Sequence, residues 1–354
     1  MENDFILNGQ ASGDVASRLL KAGMDPHVLR PWEGEDGRSY LAVNEGGERV
    51  ARPVNNATAT LRKDDWIQLD SAVVKVAKER LKAVADLRGM GLTYSIPNGM
   101  GKTVLQTETQ SDISEAIISM DGMRKSAADR PVFELNNLPL PIIHKDFDFS
   151  LRQVQTSRNN GSPIDTTTAE LAGRRVAEEA EKLLLGTSGT YAYGGGTIYG
   201  YVNFPQRITY SMADPTDSTW TPADTVQDVL NMRLDAQQAF HYGPYRLYAS
   251  LPWDVYLDDD YSDQKGDNTL RDRLKMIQGI QDVVTLDYLS TTDYVMLLVQ
   301  MTSDVVREVI GMDITTVQWE THGGMQLNFK VMAIMVPQLR ADQNGNSGIV
   351  HGTV

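Results

Sequence analysis

The amino-acid sequence predicts a mixed α+β fold in which a long strand leads into one long amphipathic helix. Between Ile143 and Leu151 every second side chain except Lys145 is apolar, which is the alternation typical of a half-buried strand. From Ala169 to Leu185 the apolar residues recur with helical spacing. Helical and strand patterns then alternate between residues 201 and 301, which predicts a compact α/β lobe.

Composition excludes several classes of protein. The chain has 354 residues, 41% of them hydrophobic and 23% charged, so it is long enough for two cores or one elongated core. It contains no cysteine, which excludes disulfides and thiolate metal sites. No apolar run approaches the roughly 18 residues of a membrane helix, and the first residues lack the pattern of a signal peptide. We therefore expect a protein made and kept in the cytoplasm, without a membrane partner.

The charge of the chain is strongly acidic and unevenly placed. The net charge is −14, and the segment from Ala213 to Tyr294 holds 15 aspartates, no glutamate and six lysines or arginines, a balance of −9. Proteins that grip nucleic acid neutralise phosphates with lysine and arginine. This composition therefore argues against nucleic-acid binding over most of the surface, although an acidic surface also simply favours solubility.

The first 90 residues predict an extended arm followed by a helix. Residues 1–63 are punctuated by glycine, asparagine and aspartate and carry few apolar groups, so we expect an arm that neighbouring chains hold in place. A helix should begin at Asp64 or Asp65 and end at Gly89 or Gly91. Its predicted apolar face consists of Val74, Ala77, Leu81 and Val84.

Residues 91–159 predict thin strands around a basic tip. Strands are expected at Thr103–Gln110, at Val132–Leu135 and, more weakly, at Ala116–Met120. An isolated hairpin is marginally stable in water, so another chain should cover its apolar residues. The candidate inter-subunit contacts are Arg124, Lys125, Arg130, Val132, Phe133, Leu135 and Leu138.

The long helix has predicted start and stop signals. Thr167 and Glu170 have capping-box spacing, and Gly186 is placed to end the helix in a left-handed conformation. The glycine-rich stretch from Gly189 to Gly200 is interpreted as a flexible connector between lobes. The predicted apolar face of the helix consists of Ala172, Val176, Ala180, Leu183 and Leu184.

The spacing of apolar residues also predicts helices and strands in the α/β lobe and in the segment after it. A helix should open at Thr221-Pro222 and run to about Tyr242, with apolar residues up to Phe240 on its faces. A closing hairpin is expected from Ile314–Thr321 and Met325–Val336, turned at Gly323-Gly324. The other predicted elements are strands at Arg246–Leu251, Val283-Val284 and Tyr294–Met301, and a helix at Asn268–Ile277.

Three parts of the sequence together resemble one family. They are the block Pro141–Phe147 with Ser150-Leu-Arg152 and the helix Ala169–Leu185, the helix Asp64–Arg88, and the closing pair Ile314–Trp319 and Met325–Pro337 followed by Leu339-Arg340. In this order they resemble the major capsid proteins of tailed phages and the encapsulin shells that share the Hong Kong ninety-seven fold. In that family an extended hairpin, the E-loop, returns through a strand into the spine helix of a peripheral domain.

The resemblance implies a division of the chain into the parts of a phage-capsid fold. The implied parts are an N-terminal arm (1–63), an N-terminal helix (64–90), the E-loop (91–159), a peripheral domain (160–200 and 302–354) and an axial α/β domain (201–301).

The resemblance also implies a structural protein rather than an enzyme. The expected function is that of a major capsid protein whose hexamers and pentamers form an icosahedral shell around the double-stranded DNA of a tailed phage. Expected partners are other copies of the chain, a scaffolding protein, a portal and a decoration protein, and the expected location is the virion. Encapsulins that begin close to the helix at Asp64 lack an extension of 63 residues, which favours the phage. The alternatives are an encapsulin compartment holding a cargo enzyme and, from another class, an acidic α/β enzyme.

The motifs that suggest chemistry are weak, and no catalytic, cofactor or metal residue is predicted. Gly99–Thr103 resembles a phosphate loop, but Ile96 stands where the motif needs glycine. The five histidines are scattered without metal-ligand spacing. Asp258-Asp259-Asp260 with Asp263 is either a solvated acidic loop or a site for a hard cation. Some relatives cross-link a lysine of the arm to an asparagine, but no lysine–asparagine pair here can be matched by position.

Overall fold

The computed structural model describes residues 24, 32–34, 36–45, 48–53, 61–110, 116, 118, 120, 130, 132–159, 166–261, 268–322 and 325–354. Within these residues the strands are β1 (Trp32–Glu33), β2 (Ser39–Glu45), β3 (Glu48–Pro53), β4 (Thr93–Ser95), β5 (Val104–Gln110), β6 (Phe133–Pro139), β7 (Ile143–Ser150), β8 (Tyr191–Tyr193), β9 (Gly196–Ile198), β10 (Ile208–Ser211), β11 (Tyr245–Ser250), β12 (Ile280–Leu286), β13 (Val295–Gln300), β14 (Val306–Thr321), β15 (Gln326–Leu339) and β16 (Ile349–Thr353).

The helices of the same residues are α1 (Lys63–Arg80), α2 (Lys82–Gly89), α3 (Leu151–Asn159), α4 (Thr167–Leu185), α5 (Pro222–Gln238), α6 (Trp253–Leu257) and α7 (Leu270–Lys275). Among these described helices, none is both long enough and apolar enough to cross a membrane.

The described residues between 32 and 53 form regular structure. Strands β1, β2 and β3 form an antiparallel three-stranded sheet. The Trp32 side chain is buried in the same core as Leu61 and Trp66, and the Glu33 backbone N–H donates to the Leu61 carbonyl at 2.9 Å. The expectation of an arm held by neighbouring chains is therefore wrong for β1, which packs on its own subunit.

The predicted first helix is present but broken in two. Helix α1 begins after Arg62, whose backbone N–H donates to the Asp65 carboxylate at 3.0 Å, so Asp65 caps from inside the first turn. Leu81 leaves the helical conformation, with φ −87° and ψ 74°, and α2 restarts at Lys82. The predicted face is confirmed where it is described, since Ala77, Leu81 and Val84 are buried.

A four-stranded sheet with the order β4-β14-β15-β7 supports the long helix α4. The hairpin of β14 and β15 is longer than predicted, and β7 pairs with β15 in antiparallel register from Gln326↔Ser150 to Ala333↔Ile143. Phe329 is the centre of the aromatic packing on this sheet: its ring stacks on Phe147 with centroids 5.1 Å apart and meets Trp66 edge-on at 6.0 Å. These rings join the predicted strand to α1 in one core.

Helix α4 matches its predicted span closely. Its N-cap position is Thr166 rather than Thr167, and the Thr166 hydroxyl group donates to the Glu170 carboxylate at 3.3 Å instead of accepting a helix N–H. Gly186 ends it with φ +86°, as predicted. Gly173 lets α1 approach closely, because a Cβ there would lie 2.9 Å from the Val73 side chain. Most of the predicted face is buried, and Leu183 is half-buried.

The second lobe contains a five-stranded sheet with the order β10-β16-β13-β11-β12. Strand β16 lies parallel to β10 and antiparallel to β13, so the last strand of the chain is part of this sheet rather than of the peripheral domain to which we assigned it. Helix α5, capped by Thr221 through Asp224, packs on the sheet and ends at Gln238, short of the expected Tyr242. A separate apolar core fills this lobe.

In the segment that resembles a phosphate loop, Gly99 allows close packing of the backbone. Gly99–Gly101 forms a single 3₁₀ turn beside the bulged part of β14. A Cβ on Gly99 would lie 2.4 Å from the Gly311 carbonyl oxygen, so two glycines allow two backbones to touch. This contact accounts for Gly99 and Gly311.

Candidate functional site

The two-stranded hairpin of β5 and β6 extends away from the rest of the chain. Its register runs from Val104↔Pro139 at the base to Gln110↔Phe133 at the outer end. The inner half of the hairpin is held to the four-stranded sheet, because the Gln338 side chain of β15 donates to the Thr107 hydroxyl group, in the middle of β5, at 3.3 Å. Towards the outer end, the side chains of both strands become exposed.

One face of this hairpin carries two exposed apolar side chains, whose strand partners on β5 are polar. Phe133 and Leu135 lie on this face because alternate residues of a strand share a side. Their exposed fractions are 60% and 62%. On the opposite face the Asn136 side chain donates to the Thr109 hydroxyl group at 3.1 Å. We call the exposed pair Phe133 and Leu135 the apolar hairpin face.

The predicted contact residues fall into three groups in the structure. Val132, beside the apolar hairpin face, is exposed like that face, and so is Arg130. Leu138 differs: it is only 8% exposed and packs into a core with Ile96 and Ile198, so it anchors the hairpin within its own chain. Arg124 and Lys125 lie outside the described residues.

The segment after α4 is an ordered hairpin rather than the flexible connector that we predicted. Strands β8 and β9 pair from Tyr191↔Ile198 to Tyr193↔Gly196. The Asn137 side chain of β6 donates to the Gly194 carbonyl at 3.0 Å. A Cβ on Gly196 would lie 2.0 Å from the Asn137 carbonyl oxygen, so only glycine permits this approach. The small hairpin supports the base of the long one.

A second exposed apolar group lies at one end of the five-stranded sheet. The sequence placed Phe240 on a helix face, but α5 has ended there and Phe240 is 71% exposed with φ +64°. Tyr242 and Met276 are also exposed. The backbone N–H of Tyr245 donates to the Gly279 carbonyl at 2.8 Å, which brings the two loops together. Sequence periodicity missed this surface because the helix terminates without a glycine or proline signal.

The aspartates of the acidic loop do not converge where they are described. Arg271 donates to Asp258 at 2.9 Å and to Asp254 at 2.7 Å, which directs these carboxylates to an arginine. Asp260 instead pairs in a backbone bridge with Thr269. Asp263 lies outside the described residues. Among the described residues, no group of three or more histidine, aspartate or glutamate side chains could hold a metal ion.

A buried ionic cluster joins the two lobes. Arg88 of α2 is 2.7 Å from Glu308 and 2.9 Å from Asp313, and Glu308 lies on β14. Burial raises the pKa of Glu308, and the positive charge of Arg88 opposes this rise. On the other side of α2, Asp86 pairs with Arg246 of β11 at 2.5 Å. Burial raises the pKa of Asp86 as well.

Comparison with known proteins places the chain in a family. A sequence profile of DUF6260, described as a family of unknown function, matches residues 55–352, which is most of the chain. The chain belongs to DUF6260. Strands β1, β2 and β3 lie ahead of the matched region.

Solved structures show the fold of this DUF6260 chain. The virus-like particle from Pyrococcus furiosus matches with a TM-score of 0.58 and 16% identity, over 80% of this chain and 97% of that one. The capsid of Myoviridae phage XM1 matches with a TM-score of 0.56 and 10% identity, over 71% of this chain and 86% of that one. A chain of Mycobacterium phage Che8 gives 0.50 at 12% identity, over 71% and 84%. The predicted α+β fold of the Hong Kong ninety-seven type is therefore confirmed.

One curated relative is similar in sequence as well. The type 1 encapsulin shell protein EncA of Myxococcus xanthus (strain DK1622) is 24% identical over 212 residues. The match covers 56% of this chain and 66% of the relative, just under two thirds of its length.

Proposed function

We propose that this chain is the subunit of a closed protein shell, and specifically the major capsid protein of a tailed phage. The fold supports this proposal most strongly, because the similar solved structures are a virus-like particle and phage capsids. The exposed apolar hairpin face is the feature of this chain that fits it. In a monomer, a two-stranded hairpin that exposes Phe133 and Leu135 to water would be unfavourable.

In this proposal the shell forms by repetition of modest contacts. Closed symmetry uses the same patch on every subunit, so a contact that is weak by itself is made many times. The long hairpin would lie across a neighbouring subunit and cover its apolar face there. The exposed group around Phe240 would face other subunits from the second lobe. A stable interface of this kind buries about 1,600 Å² or more.

We expect the shell to enclose DNA without binding it tightly. The net charge of −14 supports this role, because acidic walls repel phosphates. We expect scaffolding, portal and decoration proteins as its partners. No residue of the chain is assigned a catalytic role in this proposal.

The second candidate function is an encapsulin compartment around a cargo enzyme. The similarity to the Myxococcus xanthus shell protein favours it. The residues ahead of α1, which include the sheet of β1 to β3, favour the phage instead. Both candidates have the same architecture and differ in what the shell contains.

One experiment tests both proposals. The full chain is expressed, purified and imaged by electron microscopy, and the ratio of ultraviolet absorbance at nucleic-acid and protein wavelengths is recorded after nuclease treatment. In a phage-infected host we expect closed particles that protect double-stranded DNA. Closed particles that instead hold a single protein and no DNA would support the compartment, and a small soluble oligomer would contradict both.

A further inference from the structure

The carboxyl group of Glu181 lies between helix α4 and the start of helix α2. Glu181 lies on the buried face of α4 and is 1% exposed. Its two oxygens accept hydrogen bonds from the backbone N–H groups of Ala83, at 2.6 Å, and Val84, at 3.2 Å. These are among the unpaired N–H groups at the start of α2, so Glu181 caps that helix from outside. The break at Leu81 creates the free helix end that it caps.

A narrow crevice leads from the surface to Glu181. Leu286 is its apolar wall, and the other groups along it are charged or titratable. They come from α1, α2 and the loop after β12, and are Glu79, Arg80, Lys82, Asp287 and Tyr288. Both cations of the crevice are already engaged, since Lys82 lies 3.3 Å and Arg80 4.0 Å from the Asp287 carboxylate. On its own helix, Glu178 pairs with Arg175, and Lys182 lies over the Tyr288 ring.

The inner side of Glu181 faces further acidic groups. Asp86 of α2 and Glu308 of β14 are close enough for their negative charges to act on it. Arg246 and Arg88, the cations of this cluster, are bound to those two carboxylates and not to Glu181. A buried carboxylate without a cation of its own is costly, because burial removes the water that stabilises its charge.

A buried tyrosine completes the junction. The Tyr201 side chain is fully buried and its ring stacks on that of Tyr248, with centroids 6.1 Å apart. The Tyr248 hydroxyl group donates to Asp86 at 3.1 Å, whereas the Tyr201 hydroxyl oxygen has no hydrogen-bond partner among the described residues. Negative charge on Glu181 raises the pKa of Tyr201, after the larger effect of burial.

We propose that Glu181 is a proton-binding contact between α2 and the long helix α4, and that uptake of one proton in the folded chain tightens this contact. The neutral carboxyl group keeps a carbonyl oxygen that accepts a helix N–H, and it no longer buries a charge. The contact joins α2 to α4. It lies close to the ion pair between Asp86 of α2 and Arg246 of β11, which connects α2 to the second lobe. This inference concerns the folded subunit and does not depend on what the shell contains.

The direction of the pH effect follows from linkage. Burial raises the pKa of Glu181 from 4.5 to about 7, although the two backbone hydrogen bonds oppose the rise. A state in which α2 leaves Glu181 exposes the carboxyl group to water, so that state binds the proton more weakly. Opening is therefore favoured as pH rises from about 4.5 to about 7, and the contact is strongest below that window.

Proton uptake can be measured directly by infrared difference spectroscopy of the full chain between about pH 8 and about pH 5.5. We expect a carbonyl band of a protonated carboxylic acid at the lower pH, and its loss in Glu181→Gln. Glu179→Gln, an exposed position on the same helix, should leave the band unchanged. An equal band in Glu181→Gln and in the unmodified chain would overturn the assignment.

The tightening is tested by amide hydrogen exchange at Ala83 and Val84. After correction for intrinsic rates, protection in the unmodified chain should fall about thirtyfold between about pH 5.5 and about pH 8, since each pKa unit is a factor of ten. Glu181→Gln should remove this pH dependence. If that variant does not fold, the measurement on the unmodified chain is sufficient. Protection of these two amides that does not change with pH would contradict the proposal.

Discussion

Replacing Phe133 and Leu135 together by serine should prevent assembly and leave the subunit folded. The two side chains are 60% and 62% exposed in the single chain, so most of their surface contributes nothing to its stability. Full burial of such a side chain contributes about 1.5–3 kcal/mol. The exposed share therefore corresponds to about 1–2 kcal/mol for each residue when a neighbouring subunit covers it.

For the pair, the loss is about 2–4 kcal/mol at each contact, which corresponds to roughly a thirtyfold to thousandfold weaker contact. Because every subunit of a closed shell repeats this contact, the concentration needed for assembly should rise at least as steeply. The assay is a titration of protein concentration, with particles counted by electron microscopy and free subunits measured by sedimentation.

Leu138→Ser is the matched control for this prediction. Leu138 lies on the same strand but is buried within its own chain, so serine there should lower the thermal midpoint of the unassembled subunit. The apolar hairpin pair should leave that midpoint nearly unchanged. A double variant that assembles at the normal concentration would refute the reasoning, because the hairpin face would then not be covered by another subunit.

Three further predictions test the fold itself. Phe329→Ala should cost about 3–5 kcal/mol, because Phe329 is fully buried among aromatic rings; chemical unfolding measures this. Arg88→Met should cost about 3–5 kcal/mol by leaving Glu308 buried without its cation, and adding Glu308→Gln should recover much of that loss in the same assay. Gly196→Ala should release the small hairpin from Asn137, seen as faster hydrogen exchange over residues 191–198, and unchanged exchange would contradict the packing.

Much of the fold was predictable because local patterns and burial agree. The strand from Ile143 and the helix that ends at Gly186 have strong periods, and the structure keeps both. The break at Leu81 was not predictable, because the carboxyl group that caps the restarted helix α2 belongs to Glu181, a residue far away in the sequence. The position of β16 was not predictable either. It pairs with β10 and β13, which are distant in the sequence, and the residues of β16 themselves do not indicate which strands they pair with.

The candidate surface was predicted only in part. The sequence analysis singled out Phe133 and Leu135 as apolar residues of the hairpin, but it did not separate them from Leu138, since a sequence does not show where a hairpin meets its base. The exposed Phe240 was missed because helical spacing continues beyond the point where α5 ends. Buried charges such as Glu181 also give no sequence signal, because glutamate on a helix usually lies in solvent.

We propose that this chain closes into a shell through its long hairpin, and electron cryo-microscopy of particles assembled from the full chain can show whether it does. We expect closed particles in which the side chains of Phe133 and Leu135 are buried against a neighbouring subunit. A uniform small oligomer, or a shell whose hairpin face stays open to solvent, would contradict it.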